Sequence, residues 1–63
     1  YNDPYDLTII YLNLGEALIL QKSYEQALNY TEKGLKIAKD NSMQHLCAAG
    51  EQLITRIHDA KKQ

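Results

Sequence analysis

The sequence predicts an all-α fold of three helices. Three observations carry that expectation: apolar residues recur at three- and four-residue spacing through three segments, no segment alternates with period two, and the β-branched residues sit inside the helical patterns. A very short turn near Lys22-Ser23 and a polar break at Asp40-Asn41-Ser42 divide the chain.

The first helix is expected over about residues 4–22. Asp3-Pro4 suits an N-cap followed by proline at the first helical position, and Asp6 complements the positive end of the helix dipole. Leu7, Ile10, Tyr11, Leu14, Ala17 and Leu18 then form one apolar stripe. A second row, Ile9, Leu12, Ile19 and Leu20, lies off that stripe, so a single neighbour cannot cover this helix.

The second helix is expected over about residues 24–39. Ser23 is placed as its N-cap, with Gln26 completing a capping-box pattern. Its stripe is Tyr24, Ala27, Leu28, Thr31, Gly34, Leu35 and Ala38, with Tyr30 and Ile37 a quarter-turn away. Glu25, Glu32, Lys33, Lys36 and Lys39 fill the outer face, acids early and bases late as the dipole prefers. A third helix, over about residues 42–60, carries Met43, Leu46, Cys47, Gly50, Leu53, Ile54 and Ile57 at helical spacing before fading into a polar tail.

Sixty-three residues make one small domain with a marginal core, and the usual staples are missing. The lone Cys47 cannot close an internal disulfide, and with His45 and His58 it falls short of the four ligands of a structural zinc. Hydrophobic residues at 44% are too many for a disordered tail, and a net charge of -1 provides no global pull toward nucleic acid or anionic lipid. No run of about 18 apolar residues occurs, and the unpaired cysteine and missing signal segment fit a cytoplasmic location. From the start at Tyr1 rather than Met, the chain is expected to be a piece of a longer one, its C-terminal part.

The chain also repeats itself. Tyr11-Leu-Asn-Leu14-Gly15-Glu16-Ala17-Leu18-Ile19 aligns, 35 residues later, with Leu46-Cys-Ala-Ala49-Gly50-Glu51-Gln52-Leu53-Ile54. Mid-helix glycine costs about 1 kcal/mol against alanine, so Gly15 and Gly50 imply close approach of a partner helix.

On Tyr11, Leu14-Gly15, Leu18, Tyr24, Ala27 and Leu35 the chain resembles the tetratricopeptide repeat family, whose 34-residue helix-turn-helix pattern places aromatic, Leu-Gly, large apolar, aromatic, small and apolar residues at those points. The resemblance implies a helical hairpin in which the helices nearly touch at Gly15 and Ala27, with a third helix that caps the array or begins another repeat, an α-α superhelix fragment. Two positions depart from the pattern: Lys39 stands where the family has its late proline, and Gly34 where it has alanine. One and a half repeats are an incomplete solenoid, so either further repeats or a second copy of the chain is expected against Ile9, Leu12, Ile19 and Leu20.

In this family the first helix of each repeat lines a peptide-binding groove, and the resemblance assigns that role to Ile9, Leu12, Asn13, Glu16, Ile19 and Leu20. Asn13 has the sharpest chemistry, because an amide offers both donor and acceptor to an extended backbone. The first helix has no basic residue before Lys22, which disfavours the carboxylate clamp of chaperone-binding members, and an apolar groove with the acidic Glu16 suits an apolar or mildly basic segment. The run Thr8-Ile-Ile-Tyr-Leu-Asn-Leu-Gly15 and the ending Lys36-Ile-Ala-Lys-Asp-Asn-Ser-Met43 are further similar to the repeat region of peptide-responsive transcription regulators of Gram-positive bacteria. That resemblance implies a regulatory domain that senses a short peptide and dimerises, with DNA contact elsewhere in the parent protein. The alternative is an oligomerisation or capping unit of a repeat scaffold with no DNA-related role.

No catalytic, metal or cofactor site is expected. His45 and His58 lie 13 residues apart, which sets them well apart around a helix. Cys47 sits on an apolar stripe, where a thiol acts as a small hydrophobe. The chain has no Gly-rich phosphate loop and no nucleophile-base pattern.

Overall fold

The computed structural model describes residues 3–62, which form three α-helices: α1 (Pro4–Leu20), α2 (Tyr24–Asp40) and α3 (Gln44–Lys61). No strand occurs among the described residues. The fold is therefore a helical hairpin with a third helix packed on it. The helix limits lie within two residues of those expected. α1 stops at Leu20 and α3 starts at Gln44 because each flanking turn needs three residues.

Both turns have the same geometry. At the first, Lys22 takes the left-handed conformation (φ 64°), its N–H donates to Ile19 O, and Ser23 N–H donates to Leu18 O. At the second, Ser42 (φ 57°) donates to Lys39 O and Met43 N–H to Ala38 O. This is the Schellman closure, which satisfies the last carbonyls of α1 and α2 and reverses the chain in two steps. Glycine usually holds the left-handed position, yet here it is occupied by Lys22 and Ser42.

The helix starts differ. The Asp3 carboxylate accepts from Tyr5 N–H at 2.9 Å, and Pro4 opens α1. Ser23 forms no side-chain cap, so the expected capping box with Gln26 is absent. Its backbone supplies the reason, since ψ is 68° at Ser23 but 122° at Asp3, near the extended value an N-cap side chain needs to reach back to the first turn.

The Cα atoms occupy only 37 × 21 × 13 Å, a shallow layer in which α2 packs closely on both neighbours while α1 and α3 touch lightly. Helix separation is set by the glycines. A Cβ built on Gly15 would fall on Thr31 Oγ1 and lie 3.3 Å from Ala27 O; one on Gly34 would lie 3.0 Å from Tyr11 Cβ; one on Gly50 would lie 3.1 Å from Leu35 Cδ1. Gly15 and Gly34 thus let α1 and α2 nearly touch, and Gly50 does the same for α3 on α2. The repeated glycines Gly15 and Gly50 both face α2, one from each side.

The core comprises Leu12, Ala27, Leu35, Ala38, Leu53 and Ile57, together with the fully buried Thr8 and Thr31. Thr8 Oγ1 donates to Pro4 O at 2.8 Å, whereas Thr31 Oγ1 has no partner. This core corrects the expected stripe on α1. Thr8, Leu12 and Gly15 face inward, while Ile10 (57% exposed), Leu14 (38%) and Ala17 face solvent. Leu12, expected in the leftover row, is buried because its Cδ2 reaches the gap between Gly34 and Gly50. Ile9 and Ile19 are half-buried, and Leu20 alone of that row is largely exposed, at 77%. Tyr11 and Tyr30 stack along the edge of the hairpin with centroids 6.0 Å apart, and Lys33 Nζ lies 5.3 Å above the Tyr30 ring.

Candidate binding groove

α1 and α3, each antiparallel to α2, run in the same direction and leave a groove of about 290 Å³ between them. Its α1 wall is Ile9, Leu12, Asn13 and Glu16, which recur at helical steps along one side of that helix. The α3 wall is Leu46, Ala49, Gln52, Leu53 and Arg56, placed by the same spacing. The floor is apolar. Leu12 and Leu53 are core residues that close it from below, so the groove rests on the packed interior instead of a loop.

Polar groups are confined to the rim. Asn13 and Gln52 offer amides from opposite helices, each able to donate and accept. Toward the C-terminal ends of the two helices, Arg56 Nη1 donates to Glu16 Oε2 at 3.2 Å and ties α3 to α1. Both side chains are about half exposed, so the pair contributes no more than about 1 kcal/mol to stability. What it sets is charge, because the cation and anion of the groove neutralise each other.

Of the six residues assigned to a groove, Ile9, Leu12, Asn13 and Glu16 come together in this one. Ile19 and Leu20 do not line it; they lie about one turn beyond Glu16. The α3 wall was not legible in the sequence, where α3 was read only for its buried stripe. A signal existed in Leu46, Ala49, Leu53 and Arg56, which recur at three- and four-residue steps. Arg56 in particular supplies the base that the first helix lacks. Among the residues expected to set helix packing, Gly15, Ala27, Leu35 and Gly50 lie at the helix contacts, Tyr11, Leu18 and Tyr24 are half-buried, and Leu14 faces solvent.

A second, more open cavity lies at the α2–α3 turn, where Tyr5 approaches Ser42, Met43 and His45. His58 is exposed on the far part of α3, and Cys47 is a half-buried free thiol. Among the described residues no three His, Cys, Asp or Glu side chains gather as a metal site, and no helix is long and apolar enough to cross a membrane. Comparison with known proteins finds no matching family model, curated protein or solved structure, so any functional reading rests on the residues themselves.

Proposed function

We propose that this chain is a non-enzymatic binding module of the tetratricopeptide type that takes an extended peptide or protein segment into the groove between α1 and α3. The observation that supports it is an apolar-floored groove, about 290 Å³ in volume, with an amide on each rim. An apolar side chain of the ligand, Leu or Ile in size, would sit over Leu12 and Leu53 and contribute about 1.5–3 kcal/mol on burial. Asn13 and Gln52 would bond the ligand's main chain on either side, which fixes orientation without selecting side chains. Because Glu16 and Arg56 offset each other's charge, an uncharged apolar segment suits the site best. The same reading makes the module part of the regulatory domain of a peptide-responsive transcription regulator; its support is the resemblance of Thr8 to Gly15 and of Lys36 to Met43.

The test is a nuclear magnetic resonance titration of the chain with a panel of extended apolar hexapeptides. Amide shifts should cluster at Ile9, Asn13, Ala49 and Gln52, and Asn13→Ala or Gln52→Ala should each weaken binding about tenfold, the worth of one to two hydrogen bonds. Ala49→Phe, which fills the groove from a half-buried position, should abolish the shifts while helicity is retained. Shifts scattered over other faces, or binding untouched by all three substitutions, would remove the assignment.

A further inference from the structure

The groove has one closed end and one open end. At the closed end the Arg56–Glu16 ion pair joins α3 to α1, so a bound segment extends in the other direction, toward the start of both helices. The second cavity lies there. It has a volume of about 360 Å³ between Tyr5 of α1 and the stretch from Ser42 to Leu46, and Leu46 lines both it and the groove. Tyr5 is also in line with the α1 wall, because Tyr5, Ile9, Leu12 and Glu16 follow one another at steps of four, three and four residues. The two cavities are consecutive parts of one surface, divided at Leu46.

Distance fixes the spacing of what can fill both parts. Leu12 and Leu53, the floor of the groove, stand seven residues from Tyr5 and from Leu46 respectively, about 10 Å along each helix. A peptide in the polyproline II conformation advances about 9 Å in three residues and, at about three residues per turn, presents residues i and i+3 on the same side. A β-strand turns residue i+3 to the opposite side. The lining selects the side chain. Tyr5, Met43 and Leu46 supply an aromatic ring, a thioether and a branched aliphatic chain, surfaces on which an aromatic ring packs well. Among the described residues no Lys, Arg, Asp or Glu lines this cavity, so a charged side chain would find no counter-ion in it. We infer that the second cavity is a subsite of the groove that takes an aromatic side chain three residues along the bound peptide from the aliphatic one over Leu12 and Leu53. The inference rests on the groove as a peptide site and adds a sequence requirement to it.

The probe is a blocked peptide, acetyl-Gly-Leu-Pro-Pro-Tyr-Gly-amide, whose prolines hold the polyproline II form. Titrated into the chain and followed by nuclear magnetic resonance, it should shift the amides of Tyr5 and His45 by ring current, together with those of Asn13 and Gln52. Alanine in place of the peptide's tyrosine should weaken binding about tenfold and confine the shifts to the groove. Deleting one proline, which leaves a spacing of two, should do the same. In the chain, Tyr5→Ala and Met43→Ala should each remove most of the tyrosine peptide's advantage and leave the affinity of the alanine peptide unchanged, which a merely loosened fold would not do. Tyr5 is 53% exposed, so its truncation leaves the core intact, and circular dichroism checks both variants. Shifts at Asn13 and Gln52 with equal affinity for the tyrosine and alanine peptides would overturn the subsite and leave the groove standing. No shift at either place would overturn both. Equal binding of the shortened peptide would overturn the spacing, and tighter binding of a lysine peptide would overturn the aromatic assignment in favour of the neighbouring Asp6.

Discussion

The closest approach in the molecule, between Gly15 and Thr31, provides a quantitative test of how α1 and α2 are held together. Gly15→Ala carries two opposed effects. By helix propensity alone, alanine gains about 1 kcal/mol over a mid-helix glycine. Against that, the added methyl lands on Thr31 Oγ1 and comes to 3.3 Å from Ala27 O. Thr31 is fully buried, so its side chain has no open volume to retreat into, and either the helices part or Thr31 leaves its rotamer. Overpacking of that kind costs about 1–3 kcal/mol, so the net change should be a loss of up to about 2 kcal/mol. Leucine at position 15 should lose more.

Thr31→Ala removes the obstruction. What then faces the new methyl is the position 31 Cβ at 3.5 Å, an ordinary contact, and the Ala27 carbonyl, which needs to give by a few tenths of an ångström. The single variant Thr31→Ala should be nearly neutral, because losing a buried methyl, at about 1 kcal/mol, is offset by removing a buried hydroxyl that has no partner. In that background Gly15→Ala should become neutral or stabilising. The double-mutant cycle is thus expected to show a favourable coupling of about 2 kcal/mol, read from urea unfolding followed by far-ultraviolet circular dichroism. Additivity within about 0.5 kcal/mol, or stabilisation by Gly15→Ala on its own, would refute the claim that this contact sets the α1–α2 distance.

The other glycines grade the same effect: Gly34→Ala meets the Tyr11 Cβ at 3.0 Å and the Thr8 carbonyl at 3.3 Å and should destabilise by about 1–2 kcal/mol, whereas Gly50→Ala meets the flexible end of Leu35 and should stay within about 1 kcal/mol of neutral. Reversal of that order in thermal melts would count against it. Lys22→Gly and Ser42→Gly relieve the left-handed positions of the two turns and should each stabilise by up to about 1 kcal/mol, with Lys22→Val destabilising as the control. Ile57→Ala empties the largest fully buried side chain and should cost about 2–5 kcal/mol, enough to leave so small a domain substantially unfolded at room temperature.

Helix number and limits were legible in the sequence because turn polarity and period are local properties. Which side of α1 is buried was not, and the reason is physical: α1 is apolar nearly all round, so spacing alone cannot choose between the line through Ile10 and Leu14 and the line through Thr8, Leu12 and Gly15. The better marker was Gly15 itself. A glycine needed for close approach must lie at the centre of the contact, which places Thr8, Leu12 and Ile19 beside it and turns Ile10, Leu14 and Ala17 outward. Thr8 was passed over as core because it is polar, although a threonine methyl packs well once the hydroxyl bonds back to its own helix, as Thr8 does to Pro4 O. The groove was half legible for a related reason. Residues Ile9 to Glu16 follow from one helix's periodicity, but Gln52 and Arg56 belong to it only once α2 sets the spacing of α1 and α3. The excess of apolar residues on α1 then has a single account. One line packs on α2, a second floors the groove with α3, and the third, through Ile10, Leu14 and Ala17, faces solvent.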